Sequence, residues 1–226
     1  MAGEPAIDLL PLDRLDDVVD VYAEAFAGYP VMRCTVGEDG DVAARERRLI
    51  RLFVTRRTAR GGPMYGVSGS KASKASKESK ESKESKPGEL LGAILLTMPR
   101  EPEPPPDVAE MAAAAWRDLG EDARLRYEAY AETASRLFPA EPHHHLNMIG
   151  VRPSHKGSGI GRRLLEFVRR MAEDDPESAG VSLSTENPRN VDLYRHVGYE
   201  VTGHAPIRFT EGAPAYETWS MFLRIR

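Results

Sequence analysis

The chain has 226 residues, of which 41% are hydrophobic and 29% charged, and a formal net charge of −4. This is enough to bury one full core, so a single domain over 1–226 is expected. Its one cysteine, Cys34, excludes an intrachain disulfide and a multi-cysteine metal site, and its expected role is a buried small hydrophobe. No apolar run approaches the roughly 18 residues of a membrane span. Met1 to Leu12 has neither a basic n-region nor a long apolar core, so a cytoplasmic protein without a membrane partner is expected.

In chain order, Ile7 to Leu10 predicts a first strand. Leu15, Val18, Val19, Tyr22 and Phe26 recur at helical spacing, and Gly28-Tyr29-Pro30 is expected to stop that helix. A second helix is predicted over Val42 to Thr58, with Leu49, Leu52 and Phe53 on related faces. Two strand-like runs follow, Pro63 to Val67 and Leu90 to Met98, and a lysine-serine repeat separates them. From Ser70 to Lys86, lysine recurs every third residue among serines and three glutamates, with no apolar side chain larger than alanine. Such a segment has nothing to bury, so an insert over about 68–89 is expected to be a disordered hairpin loop rather than a domain linker. Six lysines against three glutamates give it +3 and leave −7 for the rest of the chain. An acidic body argues against a nucleic-acid partner and for a cationic acceptor.

Beyond a proline-rich stretch, Pro99 to Pro106, helices are predicted around Val108 to Leu119 and Asp122 to Phe138, separated by Gly120. Their Trp116, Tyr127 and Tyr130 are expected to pack in the core. The strand from His143 then runs into a glycine-dense turn and an amphipathic helix from Gly161. Next come a strand at Val181, a helix over Val191 to His196, and strands near Tyr199 to Val201 and Tyr216 to Leu223. The order is mixed α/β.

The run Leu146 to Leu165 is a buried strand, a turn bearing Gly157, Gly159 and Gly161, and a helix start. That arrangement aims successive backbone N–H groups and a positive dipole end at one point, which suits a phosphate-bearing ligand. A P-loop is excluded, because Lys156 precedes the glycines. The dinucleotide spacing Gly-x-Gly-x-x-Gly is missed, although Glu186 stands where a ribose-binding acid would be. A dinucleotide-dependent oxidoreductase is therefore the remote alternative.

The segment Val151-x-Pro153-x-x-Lys156-Gly157-x-Gly159-Ile160-Gly161-x-x-Leu164-Leu165 resembles the acyl-CoA pyrophosphate loop of the GNAT N-acetyltransferases, with Lys156 where Arg or Gln is usual. The block Glu186 to Tyr199 is similar to that family's Asn-x6-Tyr-x3-Gly-Phe/Tyr element, carried here by Asn187, Tyr194, Gly198 and Tyr199. Ala25 to Pro30, Leu49 to Phe53, Asn187 to Asn190 and Glu217 to Ser220 together resemble the puromycin N-acetyltransferase branch. The resemblance implies a central, mostly antiparallel twisted sheet with a splayed parallel strand pair that binds acyl-CoA, flanked by helices. It also implies acetyl-CoA as donor substrate and direct acetyl transfer to a primary amine of a small molecule in a ternary complex. A protein or peptide N-acetyltransferase and a non-catalytic acyl-CoA-binding module are the alternatives.

On this resemblance Tyr194 is the general acid for the departing thiolate. The cofactor contacts are Ile149, Val151, Lys156, Gly157, Ser158, Gly159, Ile160, Gly161, Arg162 and Asn187, with a helix N-cap as the alternative role for Asn187. Gly150 is expected to suit the splay or an adjacent bulge. His145 and Glu186 are both candidates for the base. His145 matches a histidine in the cofactor strand of serotonin N-acetyltransferase, with Asn147 replacing the second histidine of that pair. Strand alternation puts His143, His145 and Asn147 on one face and sends His144 away, so no metal is expected. The sequence leaves the acceptor, the acyl length, and the choice between monomer and homodimer open.

Overall fold

A computed structural model of the chain describes residues 6–69, 88–209 and 215–226. Most of the lysine-serine insert, together with its expected disorder, lies outside these residues. Its base is a hairpin, with the Gly69 N–H donating to the Glu89 carbonyl at 2.8 Å and Gly88 N–H to Gly69 at 3.2 Å.

The strands are β1 (Ile7–Leu9), β2 (Met64–Ser68), β3 (Leu90–Thr97), β4 (His144–Val151), β5 (Gly180–Thr185), β6 (Glu200–Ile207) and β7 (Tyr216–Arg224). They form one seven-stranded sheet in the order β1-β2-β3-β4-β5-β7-β6, in which every neighbouring pair is antiparallel except β4 and β5. The helices are α1 (Leu15–Ala25), α2 (Pro30–Val36), α3 (Val42–Ala59), α4 (Asp107–Leu119), α5 (Glu121–Ser135), α6 (Ile160–Asp174) and α7 (Pro188–His196).

Two apolar cores lie on opposite faces of the sheet. One gathers Val18, Tyr22, Leu49, Ile50, Leu95 and Met148 beneath α1 to α5, and the other gathers Ile94, Leu146, Leu164, Val168, Leu183 and Tyr194 beneath α6 and α7. This explains β3, whose first seven residues are all buried, since a central strand covered on both faces reads as a continuous apolar run. In α6, Ile160, Leu164, Leu165, Val168 and Ala172 are buried at helical spacing. Arg169–Glu173 at 2.9 Å and Arg170–Glu166 at 3.4 Å lie on its outer face.

The structure departs from the sequence expectations at three places. Pro30 starts a helix instead of only ending one: α1 stops at Ala25, and Pro30 opens α2 at its first position, where a missing N–H is harmless. β6 runs on to Ile207 through Pro206, which an edge strand tolerates because it need not donate on its open side. Gly150 is not the bulge residue. The bulge is at Asn147, because consecutive Leu95 and Leu96 pair with Met148 and Leu146. Gly150 instead lets α1 approach, since a Cβ there would sit 2.8 Å from Tyr22 Cδ1 and 3.1 Å from Ala25 Cβ.

Candidate active site

The bulge at Asn147 sets the geometry. Leu146 belongs to the α6-side core and Met148 to the α1-side core, so the extra residue moves the alternating side chains from one face to the other. The Asn147 Nδ2 fixes the bulge by donating to Thr97 Oγ1 at 2.8 Å and to the His145 carbonyl at 3.2 Å. Parallel pairing of β4 with β5 ends at the same point: His144, His145 and Leu146 face Val181, Ser182 and Leu183, and no pair follows. From Asn147 onward the β4 edge facing β5 is open, leaving main-chain groups there for a ligand to pair.

A cavity of about 780 Å³ occupies this split and the space between β4 and helices α1 to α3 and α5. Tyr29, His145, Ile149, Glu186, Asn190 and Tyr194 are among its lining residues. Glu186 is 7% exposed and ends in a cage of hydroxyls. Its Oε1 accepts from Tyr130 Oη at 3.0 Å and Thr218 Oγ1 at 2.9 Å, while its N–H donates to Tyr29 Oη at 3.0 Å. Burial raises the carboxyl above its ordinary value, opposed by the hydrogen bonds from Thr218, Tyr130 and Tyr29. Tyr194 is 8% exposed, and burial plus the nearby Glu186 charge push its phenol up to about 12. It therefore holds its proton at neutral pH.

His145 has the opposite character. Half-buried, with its ring tilted 4.6 Å from that of Phe138 and bonded through Nδ1 to Ser182 Oγ at 2.7 Å, it is held down to about 3 by burial first, then by His143 and Arg57. Such an imidazole is neutral at any working pH and a weak acceptor of protons. His144 does turn away: it is fully buried, with Nδ1 on Ser178 Oγ at 3.0 Å. His143 Nδ1 pairs with the Glu141 carbonyl at 2.6 Å. The three rings thus have separate partners, and among the described residues no group of His, Cys, Asp and Glu is placed to hold a metal.

Beyond the open end of β4, Gly157 and Gly159 adopt φ of 83° and 86°, a left-handed conformation that a side chain would strain, and space is open around both. Gly159 caps α6, whose first-turn amides, Ile160, Gly161 and Arg162, have no intrahelical acceptor. Ile160 is buried against the sheet, whereas Lys156 to Gly159 and Arg162 are exposed. Not every amide from Lys156 to Arg162 is available to a ligand. Lys156 N–H donates to the Pro153 carbonyl and Ser158 N–H to that of His155, both at 3.2 Å, which holds the turn together. Arg152 anchors the strand end, donating to the Leu90 carbonyl at 2.7 Å and pairing with Glu24. Val151 stands beside the helix start, 3.8 Å from where a Gly161 Cβ would be.

Residues 118–201 match the sequence model of the acetyltransferase (GNAT) domain. This stretch of the chain is similar to the GNAT acetyltransferase domain. Its class is that of the acyl-CoA N-acyltransferases. The matched stretch contains β4, the glycine turn, α6, β5 and α7, which together build the split and the loop.

The whole fold is similar to known acetyltransferase structures. A Corynebacterium glutamicum protein described as histone acetyltransferase HPA2 and related acetyltransferase is 21% identical, with 96% of each chain covered and a TM-score of 0.61. A Drosophila melanogaster polyamine N-acetyltransferase that forms N-acetylagmatine is 16% identical, covering 98% of this chain and 100% of that one at a TM-score of 0.57. The Escherichia coli ribosomal-protein-S18-alanine N-acetyltransferase is 13% identical, with 97% and 93% covered and a TM-score of 0.53. At these identities the likeness is one of fold.

Within the matched stretch, Asn187 is not among the residues lining the cavity. It caps α7, its Oδ1 accepting from Arg189 N–H at 3.1 Å. Asn190, one turn on, faces the cavity and donates to Thr185 Oγ1 at 3.3 Å. Tyr130 and Trp116 both pack against the α1-side core, as expected, Trp116 5.4 Å from the Tyr127 ring, and Tyr130 in addition reaches Glu186. Tyr29, Thr185 and Thr218 were not singled out from the sequence. Hydroxyls this far apart in the chain leave no periodic signal, and the pointers were Tyr29 inside the Ala25 to Pro30 block and Thr218 inside the Glu217 to Ser220 block. Cys34 is half-buried rather than buried, and burial raises its thiol.

Proposed function

We propose that the protein transfers an acetyl group from acetyl-CoA to the primary amine of a small molecule, with Glu186 as base and Tyr194 as acid. One observation carries this: the cavity at the β4–β5 split has a buried, proton-accepting carboxylate on one side and a protonated phenol on the other. Glu186 belongs with α5 through Tyr130, and Tyr194 with the α6-side core, so base and acid reach the split from opposite faces of the sheet.

In this proposal the open edge of β4 at Ile149 and Val151 pairs the donor's amide arm, and an N–H near Ile149 holds the developing oxyanion. Gly157, Gly159, Ile160, Gly161 and Arg162 supply main-chain donors to the pyrophosphate, and Lys156 adds charge. Glu186 accepts the proton of the incoming ammonium. The freed nitrogen bonds to the thioester carbon, the carbon–sulfur bond breaks, and Tyr194 gives its proton to the departing sulfur. The surplus proton left on the acylated nitrogen passes through water to the phenolate, which restores Tyr194, and Glu186 releases its proton to bulk water. The products are an N-acetyl amide and free CoA.

A small-molecule acceptor is supported by the aromatic-lined cavity and by the likeness to a polyamine N-acetyltransferase. The resemblance to the puromycin branch favours a xenobiotic-like amine. Thermal stability with acetyl-CoA, CoA and a nicotinamide dinucleotide in parallel tests the donor. A rise of several degrees is expected with the first two only. The acid is tested by Tyr194→Phe, which should lower kcat by about 10²- to 10⁴-fold while leaving acetyl-CoA affinity unchanged. Unaltered kcat removes Tyr194 from the chemistry. Acetyl-CoA binding without thiol release across a broad amine panel would establish a non-catalytic module instead.

A further inference from the structure

The charges along the cavity form a pattern that the transfer chemistry does not use. Arg57 is ion-paired with Glu101, which also faces Arg60 Nε at 3.9 Å. Glu141, exposed at the rim, faces Arg224 at 3.5 Å. Among the described residues, the two charges that remain on the lining are Glu186, held by neutral donors, and Arg56, a half-buried guanidinium in the last turn of α3. Among the described residues no carboxylate lies within ion-pair distance of Arg56. A half-buried guanidinium without a counter-ion carries a desolvation cost that an anion would offset, and its planar fork matches a carboxylate.

One aromatic wall joins the two charges. The Arg56 charge is felt at the Tyr127 hydroxyl, where it opposes the effect of burial. The Tyr127 ring lies 6.0 Å from that of Tyr130, three residues on along α5, and Tyr130 donates to Glu186. Phe53, 4.8 Å from Tyr127, continues the apolar surface.

We infer that the acceptor is a primary amine with an aromatic-sized apolar body and a distal anionic group, the amine meeting Glu186 and the anion meeting Arg56. The inference rests on the acetyl-transfer function proposed above and narrows its substrate. It sets this cavity apart from one suited to a polyamine, because a second ammonium would meet Arg56 as a like charge.

Three amines of matched body test it: para-(aminoethyl)benzoate, para-(aminoethyl)toluene and para-(aminoethyl)benzamidine, compared by acetyl-CoA-dependent thiol release. Activity should fall in that order, from anionic through neutral to cationic. Arg56→Gln should lower kcat/KM for the benzoate by about 10- to 100-fold while leaving the toluene analogue within about twofold, and Arg56→Lys should restore part of the loss. Arg56 has no counter-ion among the described residues, so its replacement costs that part of the fold no ion pair. Equal turnover of all three amines, or an Arg56→Gln effect of the same size on each, overturns the inference and leaves acetyl transfer standing. No thiol release with any of the three overturns the inference, and the failure extends to acetyl transfer itself if a broad amine panel is also inert.

Discussion

Glu186 and His145 stand on the same cavity wall, and their surroundings drive them in opposite directions. Burial raises a carboxyl and lowers an imidazole, because each is pushed toward its neutral form. For Glu186 that makes a stronger base, and for His145, held near 3, a weaker one. Glu186→Gln keeps an oxygen for the Tyr130 and Thr218 donors but removes the proton acceptor. It should lower kcat/KM by about 10²- to 10⁴-fold and abolish the acid limb of the pH–rate profile. Because the same change removes a buried charge with no cationic partner among the described residues, Tm at neutral pH should rise by about 2–4 °C. His145→Gln should retain the parental acid limb. A variant that shifts that limb would make His145 the base after all. The sequence offered both residues and could not choose between them, since the choice depends on what surrounds each side chain. The Glu186 cage draws on Tyr29, Tyr130 and Thr218, from three distant segments.

At the scale of elements, the legible parts are those written in local pattern. The buried stripe of α6, the apolar run of β3, the Gly120 break between α4 and α5, and the glycine turn all stand in the sequence as spacing or composition. The bulge at Asn147 does not, because it is a property of register between β3 and β4, and register belongs to two strands at once. The same limit hid the reason for Gly92. A Cβ there would lie 2.8 Å from Ile160 Cγ2 and 3.1 Å from the Gly150 carbonyl, so this glycine lets the start of α6 settle on the sheet. Gly92→Val should displace Ile160, and with it the amides of Gly161 and Arg162, without touching a ligand. Acetyl-CoA affinity measured by calorimetry should fall by about tenfold or more, with stability reduced by about 1–3 kcal/mol. Unchanged affinity in a destabilised protein would separate α6 seating from donor binding.

For the whole molecule, the two cores divide the sheet into faces with separate tasks, and the buried imidazoles of β4 link that division to pH. His144 lies on the α6 side with Ser178 and Asp175, His145 on the cavity side with Ser182, and burial lowers both below the ordinary 6.5. The folded chain therefore excludes protons that the unfolded chain accepts. The stabilisation is complete above about pH 6.5 and is lost as pH falls through the folded values, about 3 for His145. Glu186 acts in the other direction: its raised pKa lets the folded chain take up a proton first, so that it gains stability on acidification. Two imidazoles oppose one carboxyl, so the balance below pH 6.5 is a loss. Urea unfolding at pH 7.5 and 5.0 should show lower stability at the acidic value. Each imidazole contributes up to about 1.4 kcal/mol per pH unit inside its window. His145→Gln should flatten that dependence and Glu186→Gln should steepen it. Equal stability at the two pH values would mean that β4 carries protonated histidines in the folded state, and that the cavity wall beside Arg57 is wetter than its packing against Phe138 and Ser182 implies.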